Sequence, residues 1–97
     1  MSRDTNMSRF YQLEVDFENI SLEEVKKIVC ERFGWREADA TFNYLLCEGS
    51  LYGGQTEEDA HEEIYTALKN AKPDCRAKTI WTYLEDLPHN EFGDDLQ

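Results

Sequence analysis

The sequence predicts an α+β domain: two amphipathic helices packed on one face of a small, mainly antiparallel sheet of three to four strands. Three observations predict it. Residues 10–17 alternate between apolar and polar with period two, the pattern of a strand with one buried side. Two later stretches repeat apolar residues at helical spacing, each behind a capping residue. The order is strand, helix, strand or hairpin, helix, strand, and helices sharing one side of a sheet bury these faces most simply. A ferredoxin-like split β-α-β arrangement is the preferred topology.

The first strand places Tyr11, Leu13, Val15 and Phe17 on one face and Gln12, Glu14 and Asp16 on the other. The first helix begins at Ser21, whose side chain can accept from the Glu24 backbone N–H, with Ile20 and Val25 at the staple positions. Leu22, Val25, Ile28, Val29 and Phe33 then recur at helical spacing, and Gly34 supplies a left-handed terminator. Thr41 to Cys47 fits both a strand and one helical face; its aromatic and Thr content favours strand. Glu48-Gly49-Ser50 reads as a turn, and Leu51-Tyr52 as a short returning strand. Thr56 opens the second helix, with Ala60, Ile64, Ala67, Leu68 and Ala71 as its buried stripe and Pro73 barring continuation. Lys78 to Leu84 reads as the last strand.

A chain of 97 residues with 40% hydrophobic content holds one domain with a real core. The expected organisation is a disordered N-terminus over 1–8, a single domain over 9–87 and an acidic C-terminal tail over 88–97. Acidic residues number 21 against 10 basic ones, for a net charge of −11. That balance opposes direct nucleic-acid binding, which needs Lys and Arg to neutralise phosphates, and opposes docking on anionic membranes. No apolar run approaches the roughly 20 residues of a membrane span, and the first residues lack the apolar stretch of a signal peptide. Three cysteines make no complete disulfide framework, which fits a reducing, cytoplasmic setting.

Motifs for chemistry are absent. Cys30, Cys47, Cys75, His61 and His89 form no Cys-x-x-Cys or His-x-x-x-His pair, so no metal and no cofactor are expected. His61-Glu62 begins like a zinc-protease motif, but Tyr65 stands where the second His belongs, and His61 reads as a solvent-facing helix residue. Gly53-Gly54 before a helix resembles a phosphate cradle, yet Glu57, Glu58 and Asp59 occupy the positive helix end. Cys30 and Cys47, inside predicted elements, read as core hydrophobes. An enzyme is not expected.

Charge distribution carries the remaining signal. Between Arg36 and Lys69 there is no Lys or Arg, and after Lys78 there is again none. Glu57, Glu58, Asp59, Glu62 and Glu63 fall in the first gap as a principal charged face; Glu85, Asp86, Asp94 and Asp95 fall in the second as a secondary one. On a helix, Glu58 and Glu62, like Asp59 and Glu63, stand about 6 Å apart along the axis, a spacing comparable with successive phosphates of a nucleic-acid strand. The chain also carries five Phe, five Tyr and two Trp, among which Tyr52, Tyr65 and Trp81 are candidate partner-binding anchors.

In size, charge and α+β pattern the chain resembles the small acidic inhibitors encoded by phages and mobile elements, the anti-CRISPR and anti-restriction proteins. That resemblance implies a protein that imitates nucleic acid and occupies the basic groove of a nucleic-acid-binding partner. The alternative is a structural interaction module, a homodimer joined through a sheet edge or the Trp81/Tyr83 face.

Overall fold

A computed structural model describes residues 8–52, 54–84 and 89–96. Five strands form one antiparallel sheet: β1 (Ser8–Glu18), β2 (Arg36–Thr41), β3 (Tyr44–Tyr52), β4 (Arg76–Tyr83) and β5 (His89–Gly93). Their order across the sheet is β2-β3-β1-β4-β5. Helix α1 (Leu22–Lys26) continues into a π-helical turn, Lys27–Arg32, and α2 spans Glu57–Ala71.

Strand β1 lies at the centre, with Leu13 opposite Cys47 on one side and Trp81 on the other. Its row Tyr11, Leu13, Val15 and Phe17 is buried, as alternation requires, while Gln12, Glu14 and Asp16 are half-buried on the opposite face. Leu45, Cys47 and Leu51 of β3 and Ala77, Thr79 and Trp81 of β4 extend the buried row. Val25, Ile28 and Val29 of the first helical segment and Ala60, Ile64, Ala67 and Leu68 of α2 close over it in one core cluster. Trp35 meets Trp81 edge to face, ring centroids 5.3 Å apart.

The helix ends follow the local chemistry. Ser21 accepts from Glu24 N. Thr56 and Asp59 form a reciprocal capping box at the start of α2. Gly34 takes φ +82°, a conformation open to glycine, and its N–H bonds the Cys30 carbonyl. The first helix departs from the continuous α-helix its apolar spacing predicts: its second half winds wider, with Phe33 N–H reaching back five residues to the Ile28 carbonyl.

The expected sheet of three to four strands is corrected; the order β2-β3-β1-β4 is that of a split β-α-β unit, with β5 added outside β4. The sheet has five strands, and strand residues outnumber helical ones. Both unforeseen strands are edges. β2 is exposed along nearly its whole length and β5 is exposed except at Phe92, so neither carries the apolar alternation that betrays a strand. Residues 89–93, read as acidic tail, pair with β4, and Leu96 beyond them is buried. Glu48-Gly49-Ser50 is not a turn either: β3 runs straight through it, and the hairpin lies at Phe42-Asn43. Glycine is needed there because the Trp35 ring lies on that strand; a Cβ on Gly49 would stand 2.5 Å from Trp35 Cε3.

Candidate partner-binding site

The acids of α2 divide by the face they occupy. Glu58, Asp59, Glu62 and Glu63 are exposed, on the side opposite the buried Ala60, Ile64, Ala67 and Leu68. Glu57 is half-buried and belongs to the fold: it accepts from Asn90 Nδ2 at 2.7 Å, and burial together with this carboxylate pushes the Tyr11 phenol up to about 12. The first-turn acids also suit the positive end of the helix dipole.

Compensating charges stand elsewhere. Lys26 pairs with Glu37, Arg36 with Glu48, Lys69 with Asp94, Lys72 with Asp74, Arg76 with Glu18 and Lys78 with Glu91, all within 2.8–3.4 Å. Among the described residues no ion pair reaches Glu58, Asp59, Glu62 or Glu63. Arg32 shares a shallow depression with Glu62 and Glu63, yet its guanidinium lies over the Phe33 ring, 5.5 Å from the centroid.

The secondary face does not assemble as expected. Asp94 is a structural group. It accepts from Tyr65 Oη at 3.0 Å and from Ala77 N at 2.9 Å and pairs with Lys69 at 3.4 Å. Burial opposes its charge, but those donors and the ammonium together hold its carboxyl below the usual carboxylate range. Asp95 is exposed, and its backbone carbonyl takes Arg76. Glu85 and Asp86 lie outside the described residues.

The three aromatic candidates also part company. Tyr52 is 66% exposed at the end of β3. Tyr65 is half-buried with its hydroxyl committed to Asp94. Trp81 is fully buried and is withdrawn as an anchor, because it faces inward from β4 and its Nε1–H donates to Thr79 Oγ1 at 2.8 Å. His61 is likewise not the solvent-facing residue expected. It is 4% exposed, stacked on Phe92, with Nδ1 2.7 Å from Thr79 Oγ1. Burial lowers its pKa. The Thr79 hydroxyl thus accepts from Trp81 and also meets His61 Nδ1, which links the two buried rings through one oxygen.

Beside the acidic face the structure opens a cleft of about 530 Å³ at the end of the sheet. Phe10, Tyr52 and Leu84, three large apolar side chains left exposed, line it together with Phe33 and Trp35. Phe33, Trp35 and Tyr52 also line an adjoining depression that includes Glu63. Aromatic cleft and acidic helix face are therefore contiguous. The signal for this cleft in the sequence is faint: Phe10 stands on the polar side of the first strand's alternation, where a Phe is out of place.

Among the described residues no group of three or more His, Cys, Asp or Glu is disposed to hold a metal ion. The cysteines are free, and burial raises the pKa of all three thiols. No described helix is long and apolar enough to cross a membrane. The fold and site define a small α+β protein with an acidic helix face, free of ion pairs among the described residues, beside an aromatic cleft. Compared with protein-family models, curated proteins and solved structures, the chain matches none.

Proposed function

We propose that this protein is a non-enzymatic acidic binding protein that occupies a basic, nucleic-acid-binding groove of a partner protein and inhibits it by competition. One observation carries the reading. Glu58, Asp59, Glu62 and Glu63 share an exposed face of α2 with no ion pair among the described residues, while six lysines and arginines pair with acids elsewhere. Like charges one helical turn apart cost a few tenths of a kcal/mol per pair. A cationic partner removes that repulsion and gains attraction over a long range.

The carboxylate spacing of about 6 Å along the helix suits a surface built to receive phosphates. Such a partner is drawn in quickly and released by salt. The reading involves no cofactor and no direct nucleic-acid contact, and its setting is the cytoplasm, that of a host cell if the chain is phage-encoded. Its nearest functional type is the anti-CRISPR or anti-restriction inhibitor.

The test is affinity capture on the immobilised full chain at low salt, followed by a salt gradient. Captured proteins should bind nucleic acid and be displaced by it. A Glu58→Lys/Glu62→Lys variant should lose them. Equal capture by that variant, or captured proteins without nucleic-acid affinity, rejects the reading.

A further inference from the structure

We propose that the cleft between Phe10, Trp35 and Tyr52 receives a cationic side chain of the same partner, a guanidinium in first place. The inference rests on the reading of α2 as the partner-binding face, and it names where that partner is gripped.

The cleft is a built feature. Trp35 is held against β3 because Gly49 has no side chain, and Trp81 meets its ring edge to face from within the core. The wall is therefore rigid before any partner arrives. Phe10 and Tyr52 line the same cleft and are 61% and 66% exposed, so their rings are open to a guest. β2 pairs with β3 only as far as Glu48, so the strand edge from Gly49 onward borders the cleft with backbone groups not paired to β2.

Charge selects the guest. The chain is strongly anionic, and the depression adjoining the cleft through Phe33, Trp35 and Tyr52 includes Glu63, which lacks an ion pair among the described residues. The cleft's own cation, Arg36, is tied to Glu48 at 2.8 Å. An anionic guest is repelled there, and a cation is attracted by both the carboxylates and the negative faces of the rings. A guanidinium stacks flat on aromatic rings and can donate to backbone carbonyls at its edge, which an ammonium does less well. The protein already makes this contact internally, with Arg32 over Phe33 at 5.5 Å.

The experiment uses the full chain and a hexa-arginine peptide, with the neutral citrulline hexapeptide as its control, measured by calorimetry. Hexa-arginine should bind and the citrulline peptide should bind at least tenfold more weakly. Phe10→Ala and Tyr52→Ala should each weaken hexa-arginine binding roughly 2- to 30-fold with the thermal midpoint unchanged. If both bind like the parent while Glu58→Lys/Glu62→Lys does not, the cleft proposal is overturned and the acidic-face reading stands. If all three variants bind like the parent, both fall. Equal binding of the two peptides overturns the cationic guest.

Discussion

At the scale of single residues, two contacts decide more than their size suggests. Gly49 admits the Trp35 ring to the surface of β3, and Trp35 in turn caps Trp81. Gly49→Ala should destabilise the protein by roughly 1–3 kcal/mol, the usual cost of overpacking. Urea unfolding measures this, and adding Trp35→Leu to the variant should recover part of the loss. The second contact is the buried chain His61–Thr79–Trp81. Burial holds the His61 pKa below 6.5, while Glu62, Glu58 and Asp94 act in the opposite direction. As pH falls below that value the unfolded chain takes up the proton before the folded one does. Stability from this group is therefore present above pH 6.5 and declines below it, down to the lower folded pKa. Denaturant midpoints between pH 7.5 and pH 5 should show the decline, and His61→Phe, which keeps an aromatic ring beside Phe92, should flatten it. Neither contact is legible in the sequence. A glycine in Glu-Gly-Ser reads as a turn until a distant indole is known to lie on it, and a His followed by acids reads as solvated until β5 covers it.

At the scale of elements, the central strand and the two capped helix starts are legible because each repeats its signal along the chain. Tyr11 to Phe17 alternate, and Thr56 with Asp59 closes α2 locally. Thr56→Ala should cost about 1 kcal/mol, the typical loss of an N-cap, measured by urea titration. The acidic row of α2 should behave in the reverse way. Glu58→Gln/Glu62→Gln should leave stability unchanged or raise it by a few tenths of a kcal/mol, while weakening capture of the basic partner. A stability loss beyond 1 kcal/mol there would mean these carboxylates serve the fold instead. The edge strands β2 and β5 are the elements the sequence hides. An edge strand needs only one paired side, so its side chains can be polar throughout, and pairing energy from the backbone is invisible in a residue pattern.

At the scale of the whole molecule, a net charge of −11 on 97 residues is a source of self-repulsion. The thermal midpoint should therefore rise between 0.01 and 0.5 M salt in this regime, where the Debye length falls from about 30 Å to a few Å, whereas partner capture should fall over the same range. A midpoint that drops with salt would mean that the internal ion pairs outweigh the repulsion. The count and segregation of the acids were determined by the sequence alone, as were the buried row of the central strand and the existence of both helices. These are properties of composition and of short-range periodicity. Tertiary structure decided which charges are spent: Glu57 and Asp94 serve the fold, while Glu58, Asp59, Glu62 and Glu63 remain on an open face. It also decided that Trp81 is core, that residues 89–93 complete the sheet, and that Phe10 and Tyr52 meet Trp35 in one cleft. Each of these depends on which distant segments pair across the sheet, and pairing between segments leaves no period in the chain.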